Sequence, residues 1–242
     1  MSVAVRGWLR SARVRERLKP KPAPSWQDLV ARYAPGRSFV DLGCMWGVNG
    51  GMAFYAEEQG ASPVTGVDFV AATQEFLDEH RRRSSKLRFV QGDINDEDTL
   101  REVGTHDVVF CSGVLYHVPN PVLTLERLRS ITREVLLLRT ASLPEIPGMP
   151  NACIYYPGLS PRDRAPYDAP AANRGHARHG ISNAFDPSRD RGYGNWWWGL
   201  TPSALRGMLL TAGFADVELH QDVTLDSFAL WAIAQPGVPR FD

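Results

Sequence analysis

The chain has 242 residues, 43% of them hydrophobic, enough to bury a sizeable core in one α/β domain without requiring a second. Its 27 basic and 27 acidic residues cancel, which removes any global electrostatic case for a polyanionic partner. Only Cys44, Cys111 and Cys153 are present, at spacings that suit neither a disulfide framework nor a zinc cluster, so no metal is expected and a reducing cytoplasm is the natural home. The start of the chain lacks the apolar region of a signal peptide, and no run approaches the ~18 apolar residues of a membrane span.

Residues 1–24 carry seven Lys/Arg against the single acid Glu16 and close with Pro20, Pro22 and Pro24. They read as a solvated basic helix and stiff proline linker ahead of one domain, 25–242, although such an arm also suits a phosphate-bearing partner. A short amphipathic helix over 26–33 follows, with Ser25 as its N-cap and Pro35-Gly36 as its stop. Alternation then predicts strand 39–42, helix 48–59, strand 63–67, helix 70–82, strand 87–91, helix 97–103, strand 107–111, helix 121–131 and strand 134–139. Strands alternating with helices imply right-handed crossovers and a parallel sheet covered on both faces, with ligands at the carboxyl ends of its strands.

From Leu143 to about Asn195 this pattern breaks, in an interval with eight of the chain's 18 prolines, six arginines, two histidines and five acids. So long an irregular stretch reads as an insert, and 143–198 is expected to close over a bound acceptor. Trp196-Trp197-Trp198 ends it, and because side chains alternate along a strand, at least one tryptophan is expected to line a cleft. A helix from Thr201-Pro202 to Ala212, stopped by Gly213, and two strands near 216–220 and 227–234 complete the chain.

Phe39-Val-Asp-Leu-Gly-Cys-Met-Trp-Gly47 is a buried strand opening into a glycine turn, and Asp68 ends the next apolar run. Glycine lets backbone approach a ligand closely, and a carboxylate on the neighbouring strand can accept from both hydroxyls of a ribose. Gly43-x-x-x-Gly47 lacks the three glycines of the dinucleotide fingerprint and the Lys-Ser/Thr of a P-loop. Asp93 ends the third strand at Gln91-Gly-Asp93-Ile94, another acid at a strand's carboxyl end. The segment Asp107-Val-Val-Phe-Cys-Ser-Gly-Val-Leu-Tyr-His117 places Ser112, Tyr116 and His117 past the fourth strand. An unperturbed imidazole titrates near about 6.5, so His117 is the candidate general base.

Asp41-Leu-Gly-Cys-Met-Trp-Gly47 resembles motif I of the class I S-adenosylmethionine-dependent methyltransferases, with Met45 at the usual middle glycine. That resemblance covers residues 38–140 and implies a Rossmann-like, doubly wound, seven-stranded sheet whose last strand runs antiparallel. It implies S-adenosyl-L-methionine as cofactor, held by Asp41, Gly43, Cys44, Gly47, Asp68, Phe69, Asp93, Ile94 and Ser112. It also sets the Val114-Leu-Tyr-His117 stretch under the methionine and facing the acceptor. Tyr116, Tyr193, Asn195, Trp196 and Trp197 are the candidate acceptor residues. The last third, Asn195-Trp-Trp-Trp-Gly-Leu-Thr-Pro-Ser…Gly-Phe214, is similar to the tRNA wobble-uridine carboxymethyltransferases, which use carboxy-S-adenosylmethionine and hold its carboxylate with a C-terminal cation. This chain reads His220-Gln-Asp-Val-Thr-Leu-Asp-Ser-Phe228 there, with no Lys or Arg, which favours the ordinary donor. The expected function is O-methylation of a small hydroxylated metabolite such as a sugar or glycoside. A wobble-uridine-type RNA-modifying transferase and a non-catalytic cofactor-binding scaffold are the alternatives.

Overall fold

The computed structural model describes residues 21–22, 24–165, 184–221 and 229–240. The expected N-terminal helix, the insert residues Asp168, Arg174, His176, Arg178 and His179, and the 222–228 stretch lie outside the described residues.

The elements follow the expected alternation. Strand β1 (Lys21–Pro22), helix α1 (Trp26–Tyr33), β2 (Phe39–Leu42), α2 (Gly51–Glu58), β3 (Val64–Asp68), α3 (Gln74–Arg83), β4 (Arg88–Gln91) and α4 (Glu97–Val103) form the first half. The second half has β5 (His106–Ser112), a 3-10 turn (Leu115–His117), α5 (Pro121–Ile131), β6 (Thr132–Ala141), β7 (Cys153–Tyr155), β8 (Trp198–Leu200), α6 (Pro202–Thr211), β9 (Phe214–Gln221) and β10 (Ala229–Pro236). The main sheet runs β1-β9-β10-β6-β5-β2-β3-β4. The pairs β2–β3, β2–β5, β3–β4 and β5–β6 are parallel, whereas β10 is antiparallel to both β6 and β9. This is the seven-stranded Rossmann-like sheet with its antiparallel last strand, plus one short strand at the edge. That extra strand is the end of the proline linker, where Lys21 and Pro22 pair with β9; proline is tolerated there because an edge strand has one unpaired side.

Both faces are covered. Leu29 and Val30 of α1, Ala53 and Phe54 of α2 and Phe76 of α3 cover one face through Phe39, Val108, Phe110 and Leu137. Leu125 and Leu128 of α5 and Leu205 and Leu209 of α6 cover the other through Val40, Val109, Leu136 and Leu138. Adjacent strand residues thus alternate between two apolar layers, which explains the continuous apolar runs.

Local chemistry sets the helix starts. Ser25 and Asp28 form a capping box on α1, Asn120 caps α5 ahead of Pro121, and Thr201 accepts from the Ala204 N–H to cap α6. Two starts fall later than the apolar spacing predicts. Helix α3 begins at Gln74 rather than 70, because Asp68 takes the Val70 N–H in a local turn and Thr73 supplies the cap, accepting from Phe76. Helix α2 begins at Gly51 rather than 48, because Asn49 and Gly50 adopt left-handed φ of 47° and 74°. A Cβ at Gly50 would sit 2.6 Å from the Phe76 ring, so glycine is required on both counts.

The insert has regular structure that its proline-rich composition hides. β7 and β8 pair antiparallel, bringing Tyr155 opposite Trp198 and docking the end of the insert against the domain. The Trp197 N–H donates to the Tyr116 carbonyl at 2.9 Å, and the Leu143 N–H to the Leu200 carbonyl at 2.7 Å. Among the described residues no helix is long and apolar enough to cross a membrane.

Candidate active site

The strand order reverses between β2 and β5, and a crevice must open at their carboxyl ends. A cavity of about 350 Å³ lies there. Seven of the nine expected donor residues line it: Asp41 in β2 and Gly43 just after it, Asp68 ending β3 and Phe69 just after it, Asp93 and Ile94 after β4, and Ser112 ending β5. Cys44 and Gly47 do not. The Cys44 thiol is turned beneath the loop, where a Cβ at Gly66 would come within 2.9 Å of its sulfur. Burial pushes that thiol far up, as it does the Cys111 thiol, to about 12, whereas Cys153 is exposed. A Cβ at Gly47 would meet nothing within 4 Å, so the glycine serves the turn by its φ of 74°.

Gly43 is needed for shape. Its φ is 79°, and a Cβ there would lie 2.6 Å from a methyl of Val114, across the crevice on the loop after β5. Met45 keeps the loop's path despite replacing a glycine, because its side chain is wholly buried in the core and its N–H donates to Asp68 Oδ2 at 2.8 Å. The other Asp68 oxygen accepts from the Val70 N–H at 2.9 Å. Each carboxylate oxygen has a further lone pair, so Asp68 is oriented by the protein and retains acceptor capacity toward the cavity.

Asp41 is 2% exposed, and its Oδ2 has no hydrogen-bond partner among the described residues. Burial lifts its pKa to about 7, the Ala53 N–H in the first turn of α2 pulls it down, and the charge on Asp68 pushes it up. Asp93 accepts from the Asn95 N–H at 2.9 Å and from the Tyr193 hydroxyl at 2.5 Å. Burial, followed by the hydrogen bond to Asp93, raises the Tyr193 phenol to about 12. It is therefore a neutral donor near pH 7. Its ring lies 5.3 Å from that of Phe69.

His117 is 9% exposed and lines the same cavity. Its Nδ1 is 2.8 Å from the Asn195 carbonyl oxygen, which can only accept, so Nδ1 carries a proton and Nε2 is the basic nitrogen of the neutral ring. Four aromatic rings meet here: Tyr116 lies 4.2 Å from His117, Trp196 stacks on Tyr116 at 4.2 Å, and Trp46 stands edge-on to His117 at 6.0 Å.

The expected acceptor residues divide. Tyr116 and Tyr193 line the cavity; Asn195, Trp196 and Trp197 do not. Tyr193 falls beside the Asp93 carboxylate rather than beside His117. Trp196 is buried behind Tyr116, Trp197 packs on Phe185 and Tyr155, and Trp198 donates to the Pro119 carbonyl, so among the described residues no member of the tryptophan run lines the cavity. Asn195 is 5% exposed, with its side chain bonded to the insert's own backbone.

Trp46 and Arg139 line the cavity without having been expected there. Trp46 is 63% exposed at the mouth, and a large aromatic inside a glycine turn was its sequence signal. Arg139 ends the apolar run of β6, one strand beyond Ser112, and a cation closing such a run was the corresponding sign. Among the described residues no group of three or more His, Cys, Asp or Glu could hold a metal ion.

Residues 40–135 match a family model described as a methyltransferase domain. Two curated relatives are ubiquinone biosynthesis O-methyltransferases, from Paraburkholderia xenovorans (28% identical over 45% of this chain and 45% of the relative) and Vibrio parahaemolyticus (34% identical over 36% and 35%). The chain therefore spans less than half the length of either relative. Among solved structures, the N-terminal domain of EvdMO1 with S-adenosylhomocysteine bound superposes with a TM-score of 0.57 at 16% identity, covering 89% of this chain and 82% of that one. The 1,6-didemethyltoxoflavin N1-methyltransferase of Burkholderia thailandensis, bound to its substrate and S-adenosylhomocysteine, superposes at 0.56 and 18% identity over 88% and 76%. The similarity of residues 195–214 to wobble-uridine enzymes gains no support from these matches. Sheet order, crevice and matched segment agree: residues 40–135 carry the match to a methyltransferase domain, and the fold around them is the Rossmann-like one of these solved methyltransferases.

Proposed function

We propose that the protein is an S-adenosylmethionine-dependent methyltransferase that O-methylates a small hydroxylated metabolite, with His117 as general base. The observation that carries this reading is one cavity lined by Asp41, Asp68 and Asp93 along three adjacent strands and by His117 after the fourth. S-Adenosylmethionine presents an ammonium, a sulfonium, two ribose hydroxyls and an exocyclic amine, all cationic or hydrogen-bond donors, and a row of oriented acceptors suits them. The donor set fits: Asp41 has a buried oxygen without a partner among the described residues, Asp68 has spare lone pairs, and Gly43 leaves the backbone open to close approach.

Bound there, the donor would supply an electrophilic methyl on a positively charged sulfur. The protein's task is to align an acceptor hydroxyl, exclude water and hold the proton that leaves it. With Nδ1 committed to the Asn195 carbonyl, Nε2 of His117 would take that proton as the methyl passes from sulfur to the acceptor oxygen, the carbon–sulfur bond breaking to leave a neutral thioether and His117 an imidazolium. Trp46, Tyr116 and Met52 give the mouth an aromatic and apolar wall suited to the face of a sugar or planar ring. The O-methyltransferase names of the curated relatives favour oxygen as the accepting atom.

Titration calorimetry with S-adenosylhomocysteine tests the donor half, and absence of binding would sink it. Mass spectrometry of a metabolite extract treated with enzyme and a deuterated methyl donor identifies the acceptor. With that acceptor, His117→Ala is expected to cut kcat by about 10²–10⁴ while leaving S-adenosylhomocysteine affinity near that of the wild type. An undiminished kcat would remove His117 as the base.

A further inference from the structure

We infer that residues 189–197 of the insert form a rigid clip that belongs to the donor site at one end and positions the general base at the other, so that Tyr193 is a donor-binding residue and Asn195 holds His117 through its backbone. This rests on the donor reading of the cavity given above.

The matched methyltransferase segment ends at residue 135, so nothing in it accounts for Tyr193. Yet the Tyr193 hydroxyl reaches 100 residues back to Asp93 Oδ2 at 2.5 Å, and its ring stands beside Phe69, the residue after the ribose-facing Asp68. Asn95 joins the group, its Nδ2 lying 3.3 Å from the Tyr193 oxygen while its Oδ1 accepts from Thr124. Tyr193 therefore walls the end of the cavity where an exocyclic amine would meet Asp93. Its hydroxyl takes one lone pair of Oδ2 and leaves another, so the phenol orients the carboxylate without exhausting it.

Two residues further on, the Asn195 carbonyl accepts from His117 Nδ1. What makes these two contacts one unit is the backbone between and before them. Asp190, Arg191 and Gly192 have successive φ of 50°, 58° and 92°, a run in which the two non-glycine residues are strained. The strain is held by convergent hydrogen bonds. Asn195 Nδ2 donates to the carbonyls of Gly192 at 2.9 Å and Asp186 at 2.7 Å, its Oδ1 accepts from the Asp186 N–H at 2.9 Å, and the Trp197 indole N–H donates to the Gly192 carbonyl at 3.0 Å. Past it, the Trp197 N–H fixes the chain to Tyr116, the neighbour of His117. A displacement of Tyr193 is thus passed to the carbonyl that sets the imidazole.

The experiment pairs calorimetry with ¹⁵N spectra of the histidine ring nitrogens in wild type and Tyr193→Phe, each with and without S-adenosylhomocysteine. Tyr193→Phe should melt within a few degrees of the wild type and bind S-adenosylhomocysteine about tenfold more weakly, because Asp93 loses the hydrogen bond that aims its carboxylate at the ligand. In the wild type, His117 should carry its proton on Nδ1, and adding S-adenosylhomocysteine should move its titration midpoint. In Tyr193→Phe, saturated with ligand, the Nδ1 assignment should persist and that movement should shrink. Equal or tighter affinity in the variant, or a ligand-induced movement as large as in the wild type, overturns the inference while leaving the donor reading in place. A wild type that binds no S-adenosylhomocysteine overturns both.

Discussion

The two ends of the central strands are built from the same residue types and do opposite things. At the amino ends of β2, β5 and β6, Asp107 accepts from the Ser38 N–H at 2.9 Å, the Ser38 hydroxyl at 2.8 Å and Arg133 Nε at 2.7 Å, and Arg133 also donates to Ser38 Oγ. These bonds, with Arg133 foremost, hold the Asp107 carboxyl far below the usual carboxylate range. At the carboxyl ends, Asp41 keeps an oxygen without a partner among the described residues, burial lifts its pKa to about 7, and Asp68 spends its bonds on orienting itself rather than on a cation. One end is a satisfied polar staple. The other holds acceptor capacity in reserve, which is costly unless a ligand uses it.

The contrast can be broken in three places. Asp68→Asn should have the largest effect, about a hundredfold loss of S-adenosylhomocysteine affinity, since two charge-assisted bonds to ribose hydroxyls are worth ~3 kcal/mol together. Calorimetry checks this, and unchanged affinity would mean that the carboxyl ends carry no more function than the amino ends. Asp107→Ala should do the reverse, costing about 2 kcal/mol in denaturant unfolding with donor affinity intact. Because the folded pKa of Asp107 is depressed, its contribution is present above the unfolded value near about 3.9 and is lost as pH falls toward the native one, so wild type and variant should converge in acid.

Asp41→Asn gives the most diagnostic change, because its sign depends on pH. The folded pKa of Asp41 is raised to about 7, so the fold favours the protonated form, and that preference is fully present below the unfolded value and lost as pH rises through 7. The amide should therefore raise the melting temperature at pH 8, with the gain vanishing toward pH 4. A gain that does not depend on pH would show that the carboxylate carries no burial penalty.

The central sheet was legible in the sequence because each buried parallel strand is a short apolar run ending in a chemically marked residue: Asp41, Asp68, Asp93, Ser112. The loop from Gly43 to Gly50 was only half legible, since Val48 reads as helical and the left-handed backbone at Asn49 carries no apolar signal. The insert was the least legible. Its β7–β8 pairing depends on partners 45 residues apart in sequence, such as Ile154 and Gly199, and local periodicity does not report such pairs. Tyr193 is a candidate acceptor residue in the sequence, and its hydroxyl partner Asp93 lies 100 positions away. Chain distance hides the contact, and the 2.5 Å hydrogen bond across the fold reveals it.

The disposition of the three thiols has a practical consequence. Cys44 and Cys111 are buried and held protonated, whereas Cys153 is exposed on β7, paired with β8, the strand that begins at the last residue of the tryptophan run. A maleimide dye added to the native chain would therefore attach at one place, on the small sheet that carries the insert. The unaltered protein thus offers its own attachment point for an optical reporter of how the insert responds when the cavity fills.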